Sequence, residues 1–145
     1  MNTYIKISIL FFYLFSFALN AQNTANVTFQ VDMSTVDPST FTTPEVNGNF
    51  NGWCGNCASM SDFDGDNIWD VIITIDINTN YEFKFSADNW GIQESLLPGT
   101  PCTVTNFGFT NRTLNVLGDT TLSVVCWESC DDCNTGPSAY NVTFE

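Results

Sequence analysis

Histidine is absent from the chain, and lysine and arginine together number three in 145 residues. Without histidine there is no Ser-His or Cys-His nucleophile pair, no imidazole general base and no imidazole metal ligand. The three basic residues face 16 acids, for a formal net charge of −13. A surface of that sign repels phosphate backbones and anionic headgroups, which argues against nucleic acid and acidic membranes as partners. Charged residues of all kinds are only 13% of the chain. Low charge with abundant Thr, Asn and Asp favours strands and turns over helices. What is plentiful is apolar: 43% hydrophobic residues, 14% aromatic, 13 of them Phe. That is enough to pack a core, and the length fits one domain.

The start of the chain is an address. Residues 1–6 carry one positive charge, Lys6, and 7–19 are almost unbroken apolar residues, relieved by Ser8 and Ser16. Ala21 then offers a small residue at a cleavage point. The expectation is a secretory signal peptide over 1–21, cut after Ala21, since the run falls short of the ~20 residues of a spanning helix. The product is secreted or held at the cell surface or in the periplasm, with no membrane association after cleavage. It loses Lys6 and keeps only Lys84 and Arg112 against 16 acids, one unit below the −13 of the whole chain, or −14.

Six cysteines suit that compartment: Cys54, Cys57, Cys102, Cys126, Cys130 and Cys133. An even count in an exported chain reads as disulfides. The two Cys-x-x-Cys pairs also look like halves of a zinc ribbon, but their separation is long and Cys102 and Cys126 are left over. A redox role fits poorly, because Asp131 and Asp132 raise the thiol pKa of the second pair. We expect a local Cys54–Cys57 bridge, with the other four tying the Cys102 loop to the chain end.

Strands follow from alternation. Residues 27–33 place Val27, Phe29, Val31 and Met33 on one face; 69–76 do the same with Trp69, Val71, Ile73 and Ile75; 81–86 turn Tyr81, Phe83 and Phe85 inward and Lys84 outward. A shorter strand is expected over 44–50, and a last hairpin joins 112–116 to 121–127 through Leu117-Gly118-Asp119. Six strands without a helix predict an all-β, antiparallel, immunoglobulin-like sandwich over 22–133. Asn134 to Ser138 read as linker, assigned to 134–140. Residues 141–145, Asn-Val-Thr-Phe-Glu, nearly repeat Asn26-Val27-Thr28-Phe29-Gln30. The expectation is a truncated second repeat, and further domains of the same polypeptide as partners.

Three spaced motifs carry the function. Asn47-Gly48-Asn49-Phe50-Asn51-Gly52-Trp53 is a strand end presenting an aromatic; Tyr81-Glu82-Phe83-Lys84-Phe85 is a strand; Asp88-Asn89-Trp90 is a second aromatic turn. Their order resembles the starch- and glycogen-binding modules, carbohydrate-binding module families 20 and 48 and relatives. It looks most like the repeated modules of secreted Bacteroidetes glycan-degrading proteins, which often end in a pattern like Cys126-Trp127-Glu128-Ser129-Cys130. The Ala21-Gln22 junction is similar to signal peptides of that group. The resemblance runs from about Asn26 to Cys133. It implies a carbohydrate site in which Trp53 and Trp90 form a platform, Lys84 hydrogen-bonds hydroxyls and a later Asn, matched here by Asn111, completes the site. The stretch around Asn111, with Phe107, Phe109 and Arg112, departs most from the family pattern.

The residues support this independently. A flat indole matches the C–H face of a sugar ring, and neighbouring polar groups fix its orientation. Trp53 and Trp90 follow turn residues, where burial is hard, whereas Trp69 and Trp127 lie within strands and belong to the core. An ordinary surface ion pair of Lys84 with Glu82 is the plainer alternative for that lysine. Asp62, Asp64 and Asp66, with Asp70 nearby, form a candidate calcium loop, although it fails the EF-hand spacing. The resulting expectation is a non-catalytic module that binds a glucan, starch- or glycogen-like or laminarin-like. The alternatives are the N-terminal part of a secreted glycoside hydrolase and a structural or adhesion repeat.

Overall fold

The computed structural model describes residues 23–133. The expected signal segment 1–21, linker 134–140 and repeated segment 141–145 lie outside the described residues. Within them the chain forms β1 (Thr24–Asp32), β2 (Pro44–Gly48), β3 (Ile68–Asp76), β4 (Thr79–Ala87), β5 (Ile92–Gln93), β6 (Thr103–Asn106), β7 (Phe109–Val116), β8 (Thr120–Thr121) and β9 (Val125–Cys126), with one 3₁₀ turn at Asn49–Asn51. Two sheets face each other. One has the order β3-β1-β8, with β9 also on β1; the other runs β2-β4-β7-β6, with β5 on β4. The all-β sandwich expected from the alternation is present. It is antiparallel except where β8 and β9 run parallel to β1.

Alternation in β1 explains the core. Ala25, Val27, Phe29 and Val31 are buried while Asn26 is exposed. Opposite them, β4 contributes Tyr81, Phe83 and Phe85 and β2 contributes Val46. Phe29 is the centre: its ring lies 5.1 Å from that of Phe83, edge to face, and 5.4 Å from that of Phe50. Burying one such ring stabilises the fold by roughly 1.5–3 kcal/mol, with ~1 kcal/mol more from the ring pairs. Trp69 and Trp127 pack against this core, as expected for strand tryptophans.

Two expectations are corrected. The second strand ends at Gly48, not at residue 50, because the Asn51 amide folds back. Its oxygen accepts the Gly48 N–H at 3.0 Å and its nitrogen donates to the Val46 carbonyl at 3.0 Å. The final hairpin does not form either. β7 stays against β4 and β6, and the chain then crosses to the other sheet, where β8 and β9 satisfy the backbone of β1. Asp119 pins the crossover by accepting the Asn26 N–H at 2.8 Å. Leaving β1 with an unpaired buried edge costs more than forgoing a local hairpin.

Candidate functional site

The outer face of the second sheet is where the site forms. On β4 the residues alternating with the core aromatics are Glu82, Lys84 and Ser86; on β2 they are Glu45 and Asn47. Glu45, Asn47 and Ser86 are nonetheless fully buried. Buried polar groups need partners, and theirs come from one another and from the two aromatic turns. Glu45 accepts the Asn89 N–H at 3.0 Å, and the Asn47 amide donates to Ser86 Oγ at 2.8 Å and accepts the Gly55 N–H at 2.7 Å. Asp88 fixes the second turn from outside by accepting the Thr42 and Thr43 N–H groups at 2.8 and 2.9 Å.

These bonds hold an unfavourable backbone. Asp88, Asn89 and Trp90 have φ of 53°, 57° and 68° in succession, and Trp53 has φ 58°. The left-handed region costs an L-residue roughly 1–2 kcal/mol. Asp and Asn tolerate it; tryptophan has no such affinity, and both site tryptophans occupy it. Strain of this kind concentrates at functional sites. The outcome is a pair of indoles with ring centres 6.5 Å apart and planes inclined by 32°, joined by a Trp90 Nε1–H bond to the Trp53 carbonyl at 3.4 Å. The Cys54–Cys57 bridge closes a small loop immediately after Trp53, and Gly55 in that loop lies close to Cδ1 of Trp90.

The sequence-derived residues Trp53, Lys84, Trp90 and Asn111 all line one open cavity of about 560 Å³. Glu82, Gln93, Asn106, Phe107 and Phe109 complete its walls. Phe107 is fully exposed and Phe109 is 69% exposed, on either side of Gly108 at the tip of the β6–β7 hairpin. Sequence reasoning gives Phe107, Phe109, Gln93 and Asn106 no binding role, and gives Glu82 only that of an ion-pair partner for Lys84. The readable signal was two phenylalanines in a Thr- and Asn-rich hairpin.

The polar groups of the cavity are arranged unequally. Asn106 and Asn111 each donate an amide N–H to Glu82, the latter at 3.0 Å. Asn111 thus reaches the cavity with its amide already committed to Glu82. Lys84 is 9% exposed and lines the same cavity. Among the described residues the sole ion pair is Arg112 with Glu94, so the ordinary pairing of Lys84 with Glu82 does not form. Arg112 is consumed by structure. It binds buried Glu94 through Nη2 at 2.6 Å and Nε at 2.9 Å, donates to the Ser129 carbonyl at 2.9 Å and stacks over Phe85 at 5.2 Å.

The other candidate residues lie elsewhere. Cysteines pair as Cys54–Cys57, Cys102–Cys130 and Cys126–Cys133. This matches the expected local bridge and joins the Cys102 loop to the chain end. Such pairing fits an oxidising compartment. Carboxylate oxygens of Asp62, Asp64 and Asp66 come within 4.8 Å of one another. Asp62 also caps its own turn, accepting the Gly65, Asp66 and Asn67 N–H groups, while Asp66 accepts that of Ile68.

No protein-family profile matches the chain, and no curated protein matches it by sequence. Among solved structures it is similar to a glycoside hydrolase family 15 glucoamylase from Hypocrea jecorina, with a TM-score of 0.53 at 19% identity. The match covers 74% of this chain and 18% of that one. The chain therefore spans under a fifth of the enzyme, and at this identity the likeness concerns the fold.

Proposed function

We propose that the domain is a non-catalytic polysaccharide-binding module, an accessory to a secreted glycan-degrading protein, with a glucan of starch, glycogen or laminarin type as ligand. The observation that carries this reading is the paired Trp53 and Trp90 beside a covered, unpaired Lys84 in one open cavity. The indoles supply flat apolar surface for sugar rings, and Lys84 and Asn111 supply hydrogen bonds to ring hydroxyls. The order of the motifs that resembles starch- and glycogen-binding modules supports it, as does similarity to a structure described as a glucoamylase. Secretion, or retention at the cell surface or in the periplasm, accords with the three bridges.

Binding without catalysis is favoured by the acids present. Glycoside hydrolysis takes two carboxyl groups flanking the scissile bond, within roughly 5–9.5 Å of each other. Glu82 is the one acid among the residues lining the cavity, and it is held by two amides. Co-sedimentation of the domain with insoluble starch and insoluble β-glucan tests the reading, alongside an assay for reducing-sugar release. We expect retention on at least one polymer and no sugar release. A domain that stays in the supernatant with every glucan is a structural or adhesion repeat instead.

A further inference from the structure

We infer that the cavity selects uncharged glycans: Glu82 and Lys84 together bind one pair of neighbouring sugar hydroxyls, and glycans bearing carboxylate or sulfate are rejected. This rests on the polysaccharide-binding reading above and specifies its ligand class. Glu82 and Lys84 are two apart on β4 and share a face, about 7 Å apart along the strand. The two groups line the same cavity without pairing to each other. Glu82 has one amide donor on each oxygen, from Asn106 and Asn111, which orients the carboxylate and leaves each oxygen further acceptor capacity. Lys84 is nine-tenths buried, and none of the hydrogen bonds or ion pairs among the described residues engages its ammonium. The ammonium itself stays open to solvent, since no buried side-chain nitrogen or oxygen among the described residues lacks a partner, and a ligand hydroxyl reaches it by displacing water.

Neighbouring hydroxyls satisfy both ends, because one accepts from the ammonium through its oxygen while the other donates its O–H to the carboxylate. Both bonds are charge-assisted. A carboxylate or sulfate only accepts. It meets Lys84 but is repelled by Glu82, in a chain already at −13. An ammonium on the sugar satisfies Glu82 but meets Lys84. An uncharged polyol between the indoles and the Phe107–Phe109 hairpin is what remains.

Affinity electrophoresis of the domain in gels containing soluble starch, a soluble β-1,3-glucan, alginate or carrageenan tests this. Retardation by a neutral glucan, with none by alginate or carrageenan, is the expected result. Glu82→Gln should weaken neutral-glucan binding about tenfold and allow measurable retardation by alginate. Lys84→Gln, which leaves the Glu82 anchorage intact, should give a similar loss for the neutral glucan and so serves if Glu82→Gln does not fold. Equal retardation of the wild type by alginate and neutral glucan overturns the selectivity while leaving polysaccharide binding in place. So does a Lys84→Gln variant that binds neutral glucan as the wild type does. Retardation by none of the four polymers defeats the underlying functional reading itself, and this inference with it.

Discussion

Gly55 packs against Asn89 and Trp90, and replacing it with alanine is the most informative single change. Gly55 is buried, with φ +87°, and an added Cβ lies 2.1 Å from Asn89 Oδ1 and 3.1 Å from Trp90 Cδ1. The first overlap is relieved cheaply, since Asn89 is exposed and its amide end can rotate. The second is not, because the indole is held by its own strained backbone and by its bond to the Trp53 carbonyl. The left-handed backbone adds roughly 1–2 kcal/mol for alanine, and crowding against the ring about 1 kcal/mol more. A total near 2–3 kcal/mol lowers the melting midpoint by roughly 8–15 °C for a domain of this size. Displacing Trp90 should also weaken glucan binding about tenfold, since a few central residues dominate such sites. Thermal unfolding and affinity electrophoresis of the folded variant read the two effects separately. Asn56→Ala, exposed in the same small loop, is the control and should change neither. If Gly55→Ala melts and binds like the wild type, the packing of this loop against Trp90 does not position the platform.

Further predictions concern single residues and the bridges. Trp90→Ala should abolish measurable glucan retardation while leaving the circular dichroism spectrum unchanged, because the ring stands on a turn outside the core cluster. The wild-type Kd should fall roughly between 10 µM and 1 mM by calorimetry, as suits an open aromatic surface with a few hydrogen bonds. Trp69→Ala should do the reverse of Trp90→Ala, costing about 3 kcal/mol in chemical denaturation without altering affinity in the folded fraction. Reduction of the three bridges should lower the melting midpoint, each native bridge in a small secreted domain contributing ~2–5 kcal/mol. An unchanged midpoint, with all six thiols titrating free, would refute that assignment.

Much of the fold was legible because burial on one face writes a period of two. β1 and β4 show it plainly in Val27, Phe29, Val31 and in Tyr81, Phe83, Phe85. Pairing partners leave no such mark, so the pattern after Val116 reads as a hairpin although the chain crosses to the other sheet. The two-residue strands β5, β8 and β9 are too short to carry any period. At the site, turn chemistry exposed Trp53 and Trp90, and strand parity put Lys84 on the outer face. Parity does not tell whether an outer face is open to water. Lys84 is nine-tenths buried as a residue, and Glu45 and Asn47 on β2, to which the strand pattern gives no role, are the buried supports of both aromatic turns. The clamp of Asn106 and Asn111 on Glu82 joins residues more than twenty positions apart, a relation that spacing alone does not reveal.

The two bridges near the end of the described chain also set how the domain bears load. Tension applied beyond Cys133 reaches Cys126 through sulfur as well as along the six residues between. From Cys126 it enters β9, laid parallel along β1, which is flanked on its other side by the long strand β3. Cys130, on the same short segment, is fastened to Cys102 in the loop leading into β6, and Ser129 to Arg112 on β7. A pull at this end is thus divided between both sheets by covalent links before any strand has to peel. In the polysaccharide-binding role proposed above, tension at this end would meet sulfur first and hydrogen bonds second.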